Sequence, residues 1–110
     1  MYFRNPYWSN QTRIELLERW ILVHSIIYYI LNTNIISDKR YDRNSRQLLV
    51  LIAKDPEAFE KSRWYYVMKD FDGNTGFDLY FRLSIEDRGD LTLIANNLIY
   101  RFKKEKKENV

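Results

Sequence analysis

The apolar residues of the first third of the chain fall into two stripes of helical spacing. Ile14, Leu17, Ile21, His24, Tyr28 and Leu31 form one, and Leu16, Trp20, Val23, Ile27 and Ile30 form the other. Steps of three and four place side chains on one face of a helix, so the pattern predicts a first helix from about residue 11 to 31. Ser9 or Asn10 can cap it, and Asn32-Thr33-Asn34 ends it. A helix apolar on two faces packs on more than one side, which makes this one the expected centre of the fold. Ser37 offers the cap of a second helix over about 38–53, with Tyr41, Leu48, Leu49 and Ile52 on its buried side. Asp55-Pro56-Glu57 supplies a capping acid, a proline at the first helical position and an acid in the first turn. Those three start a short third helix.

The second half is less periodic. Residues 62–71, SRWYYVMKDF, read equally as a continuation of that helix or as an extended segment. FDGNTG at 71–76 predicts a turn, because Asp-Gly and Asn tolerate positive φ angles. GFDLYFRL then reads as a short helix or as the return strand of a hairpin. Ser84 and Asp87 predict the start of a last helix, interrupted near Gly89 and running through Leu91, Ile94, Leu98 and Phe102 to about residue 104. The tail KKEKKENV is expected to fray. The expected fold is mainly α and a single domain: a helical hairpin over 13–54, completed by an aromatic-rich helical segment over 55–110.

Composition narrows the functional classes. The chain has 110 residues, no cysteine and a single histidine, His24. That removes disulfides, thiol nucleophiles and cysteine-based metal centres, and is consistent with a reducing cytoplasm. His24 lies on an apolar stripe and reads as a core or rim histidine. The N-terminus lacks the basic-then-apolar pattern of a secretory signal. The most apolar run, residues 20–31, is too short for the roughly 20 residues that cross a bilayer. The net charge is +3, with 18 basic and 15 acidic residues interspersed. That permits nucleic-acid contact without requiring it, and no recognition motif appears.

The candidate chemistry gathers at the turn of the hairpin. Asp38, Tyr41 and Asp42 are spaced i, i+3 and i+4 on the first turn of the second helix and face one way. A short loop folds Tyr28 and Tyr29 back toward them. The product is a corner with aromatic walls and two carboxylates, flanked by Lys39, Arg40 and Arg43. Tyrosine faces attract a cationic heteroaromatic ring, and carboxylates accept hydrogen bonds from ribose hydroxyls.

The pair Tyr28-Tyr29, the run Ser37-Asp38-Lys39-Arg40-Tyr41-Asp42-Arg43 and His24 four residues before the pair together resemble a known element. It is the N-terminal helical subdomain, Ia, of bacterial NAD-dependent DNA ligases, and the resemblance covers about residues 13–54. It implies that Tyr28 and Tyr29 border the nicotinamide of nicotinamide mononucleotide or NAD. It likewise implies that Asp38, Tyr41 and Asp42 contact nicotinamide or ribose; the nearby bases, Arg40 and Arg43, could hold a phosphate. Asn44 and Gln47 stand where that family has leucine and glutamate, and its interhelical proline is missing. Past residue 54 no adenylation domain, oligonucleotide-binding fold, zinc finger or helix-hairpin-helix repeat follows. The chain is therefore expected to be no enzyme but a non-catalytic binding module. Lys69-Asp70-Phe71-Asp72-Gly73 is one residue too long for the Lys-x-Asp-Gly of nucleotidyltransferases and reads as a turn.

A second reading starts from the surplus of aromatic side chains. Trp64, Tyr65, Tyr66, Phe77, Tyr80 and Phe81, with Phe71, crowd the interior that so small a chain can offer. Some would then face a protein partner. On that reading the chain is a small phage or mobile-element inhibitor, anti-CRISPR-like, of a host nuclease or DNA-processing protein. Lys103, Lys104, Lys106 and Lys107 read as a solvated helix end. The sequence leaves the oligomeric state open.

Overall fold

Ser9 opens the first helix by accepting a hydrogen bond from the Thr12 amide, and α1 runs over Asn10–Ser25. The computed structural model describes residues 6–73 and 76–108, with side chains described as far as residue 106. The helix does not continue regularly to residue 31 as expected. Over Ile26–Ile30 it widens into a π-helical turn, in which the Leu31 amide reaches the Ile26 carbonyl at 2.9 Å. The wider turn advances the register, so Ile26 and Ile27 are buried while Tyr28, expected on the buried stripe, is 51% exposed. Such insertions recur at functional sites. Asn32 closes the segment in a left-handed conformation with φ of 50°.

Ser37 caps α2, Asp38–Lys54, by accepting from the Arg40 amide, and Asp55 caps α3, Pro56–Glu60, by accepting from the Ala58 amide. The ambiguous segments both resolve as short helices, α4 at Tyr65–Met68 and α5 at Leu79–Arg82. Among the described residues there is no strand. Of the expected turn at 71–76, Asn74 and Thr75 lie outside the described residues. Gly73 has φ of 85°, and a Cβ there would come within 2.8 Å of Leu49 Cδ1. The positive φ favours glycine here, while the leucine methyl, at the end of a flexible side chain, could shift aside.

The last helix, α6, spans Ile85–Glu108. Two expectations fail here. Gly89 does not interrupt it, since a single exposed glycine costs a helix only about 1 kcal/mol and twenty-odd neighbours outweigh that. The lysine-rich tail is helical to Glu108, with the Lys106 ammonium 4.8 Å from the Phe102 ring centroid. Ser84 caps α6 through the Asp87 amide, as expected.

Helix α1 packs against α2, α3, α5 and α6. Ile14, Leu17, Ile21, Leu22, Ile26 and Leu48 are fully buried in the core, each worth about 1.5–3 kcal/mol over exposure. One carboxyl shares that core. Glu18 is fully buried and is held up to about 8, chiefly by burial, while the Ser62 hydroxyl at 3.1 Å works the other way. A second polar cluster ties α4 to α6: buried Asp87 accepts from both the Tyr66 hydroxyl and the Arg63 guanidinium.

Candidate functional site

The π turn and the first turn of α2 face each other across the loop at residues 31–37 and enclose a cavity of about 310 Å³. Tyr28, Tyr29, Asp38, Tyr41 and Asp42 all line it. His24 and Ile27 contribute from the first helical segment, and Thr33, Asn34, Ile35, Ile36 and Ser37 from the loop. The five side chains singled out in the sequence thus line one cavity, while the loop residues beside them, which carry no periodic signal, were not among the expected ones.

Each wall has a physical support. Tyr28 and Tyr29 meet edge to face with centroids 4.8 Å apart, an arrangement favoured by their ring quadrupoles. Asp38 and Asp42 are exposed, with their carboxylates on the rim. Tyr41 is half-buried, and its hydroxyl pairs with Ser25 Oγ at 2.9 Å. Burial raises the Tyr41 pKa, with the Ser25 bond opposing. It is a neutral phenol at physiological pH, able to donate a hydrogen bond to a ligand when Ser25 is the donor of the pair.

Ser25 and Tyr41 are pinned in turn by Gly76. A Cβ at residue 76 would fall 2.2 Å from Ser25 Oγ and 2.5 Å from the Tyr41 hydroxyl. Backbone from the second half of the chain therefore closes the back of a site otherwise built by the hairpin. Phe77 follows at once, its ring edge-on to Tyr29 with centroids 5.6 Å apart. Sequence reasoning grouped Phe77 with the partner-binding aromatics. The structure sets it beside the corner, a placement that only the loop before α5 decides.

His24 is buried, as expected, and its ring lies 4.3 Å from that of Trp20. Burial, with Arg40 adding to it, holds its imidazole down to about 4, so it is neutral at pH 7. The arginines do not join the corner lining. Arg40 lines a second cavity that shares only His24 with the first, and Arg43, though exposed, lines neither.

The other aromatics divide. Trp64 is buried, with the Arg63 guanidinium 4.1 Å from its ring centroid, and Phe71 is buried too. Tyr65 and Tyr80 are half-buried. Of the six aromatics expected to face a partner, Tyr66, Phe77 and Phe81, 41%, 58% and 58% exposed, present broad surface. Lys69 is exposed at the end of α4. Among the described residues no group of acids and histidine is arranged to hold a metal, and no helix is long and apolar enough to cross a membrane.

Against this geometry, the family model described as DNA ligase-like, N-terminal NAD+-binding domain, matches residues 8–62. The match is wider than the 13–54 segment that carries the resemblance and takes in α1, α2 and α3. No curated protein and no solved structure matches the chain.

Proposed function

The chain belongs to the DNA ligase-like, N-terminal NAD+-binding domain family, and from that premise we propose that its hairpin corner binds the nicotinamide mononucleotide half of NAD without catalysing a reaction. One observation carries the reading: the five side chains at family spacing, 28, 29, 38, 41 and 42, line one cavity in the segment that the family match covers. At about 310 Å³ the space is at the lower end for small-molecule sites.

Each residue has a role that its chemistry supports. The nicotinamide ring of the oxidised nucleotide is cationic and rests against the tyrosine faces, with Asp38 and Asp42 offsetting its charge. The same carboxylates accept from ribose hydroxyls in charge-assisted hydrogen bonds. The Tyr41 hydroxyl, oriented by Ser25, offers a donor to the carboxamide oxygen. The phosphate stays toward solvent, because neither Arg40 nor Arg43 is part of the lining.

Calorimetry with nicotinamide mononucleotide tests the reading. Saturable heat at micromolar to millimolar concentration, lost in Tyr28→Ala and in Asp38→Ala with the circular dichroism spectrum unchanged, is the expected result. Absence of heat at millimolar nucleotide overturns it.

The inhibitor reading retains one favouring observation, the exposure of Tyr66, Phe77 and Phe81. If a host nuclease is the partner, those three would carry the binding energy in place of buried Trp64. Substituting them would then cost roughly 2 kcal/mol each in affinity.

A further inference from the structure

The second cavity, about 340 Å³, opens where α1, α2 and α6 meet. Its walls are Leu16 and Trp20 of α1 and Ile94 and Leu98 of α6. Since α6 lies beyond the matched residues 8–62, this space is not a feature of the family segment alone.

Arg19 and Arg40 also line the cavity, and both are exposed. The ion pairs among the described residues engage Lys61, Arg63 and Arg82, not these two. The Arg40 guanidinium sits 5.8 Å from the Trp20 ring centroid, which fixes a positive charge beside an aromatic wall. His24, held down to about 4 by burial, adds no charge of its own. An apolar concavity with two cationic groups free of carboxylates selects a ligand with an apolar body and an anionic end. The planar guanidinium fork matches a carboxylate in two-point geometry.

We infer that the cavity between α1 and α6 binds a small aromatic carboxylate, its ring held between Trp20 and Leu98 and its carboxylate at Arg19 and Arg40. This site is independent of the nucleotide corner and stands or falls without it. The aromatic body removes apolar surface of Leu16, Ile94 and Leu98 from water. A free inorganic anion would leave those walls unused.

The test titrates naphthalene-2-carboxylate into the full chain, isotope-labelled at indole nitrogen and at leucine and isoleucine methyls. Saturable shifts at the Trp20 indole and at the Leu98 and Ile94 methyls are expected at high micromolar to low millimolar ligand. Naphthalene-2-carboxamide, of the same shape without the charge, should bind at least tenfold more weakly. Arg19→Gln combined with Arg40→Gln should cost the carboxylate a similar factor, and both positions are exposed, so folding is retained. Leu98→Trp should fill the space and abolish the shifts. If that variant does not fold, the amide comparison and the arginine pair decide. Absence of saturation at millimolar carboxylate overturns the inference. So does equal binding of the amide, or a response confined to the Ile27 and Ile35 methyls of the corner.

Discussion

The cavity at the hairpin turn and the cavity between α1 and α6 share the His24 ring, yet Asp38 and Asp42 rim one while Arg19 and Arg40 line the other. The first is built almost wholly from residues 24–42, within a single turn of chain. The second joins Leu16 to Leu98 and exists only because α6 returns across α1. A neutral histidine between them lets opposite charges face outward on either side without a charge in the wall. One helix can therefore serve two sites of opposite electrostatic preference, the register change at the π turn presenting the tyrosines to one of them.

The strongest way to break the comparison is to strip the corner of its charge. Asp38→Ala with Asp42→Ala should lower nicotinamide mononucleotide affinity at least a hundredfold by calorimetry, since each hydrogen bond to a charged group is worth about 1.5–3 kcal/mol. The same variant should bind naphthalene-2-carboxylate as the parent does. Equal loss at both cavities would mean that they are not separate sites.

Gly76→Ala probes the support behind the corner. The added methyl must displace the Ser25–Tyr41 pair, and overpacking of this kind costs about 1–3 kcal/mol. Denaturant melts should show that loss, with nucleotide affinity falling further and the second cavity unchanged. A variant as stable as the parent would show that the segment at residue 76 does not buttress Tyr41.

Two buried groups set the pH range over which either cavity can be compared. Glu18 keeps its proton to about 8 in the folded chain but releases it near 4.5 when unfolded, so its contribution to stability falls as pH rises between those values. His24 stays neutral to about 4 when folded but takes a proton below 6.5 when unfolded, so its contribution falls as pH drops from 6.5 to 4. Their slopes oppose one another below 6.5, and above it Glu18 acts alone. Stability should therefore decline by up to about 2 kcal/mol from pH 6.5 to 8. Glu18→Gln, whose amide oxygen can still accept from Ser62, should flatten that decline in thermal melts. An unchanged slope would assign it elsewhere.

The smallest effect sharpens the corner's edge. Phe77→Ala removes the ring that meets Tyr29 edge to face, a contact worth about 0.5–1.5 kcal/mol. Nucleotide affinity should drop about fivefold by calorimetry. No change would return Phe77 to the open aromatic surface with Phe81.

The sequence alone determined the starts of α1, α2, α3 and α6 and the grouping of Asp38, Tyr41 and Asp42, because these depend on neighbours along the chain. Capping at Ser9, Ser37, Asp55 and Ser84 is a bond to an amide three residues on, and the carboxylate-tyrosine triplet of α2 is one helical turn. Tertiary structure alone decided that the first helix widens at Ile26, that Tyr28 turns outward, and that Glu18 and Trp64 are buried. It also decided that Gly76 backs Tyr41 and that Arg40 lies against Trp20. Those outcomes depend on contacts between segments tens of residues apart. Spacing within one helix does not encode the path by which α5 and α6 return to it.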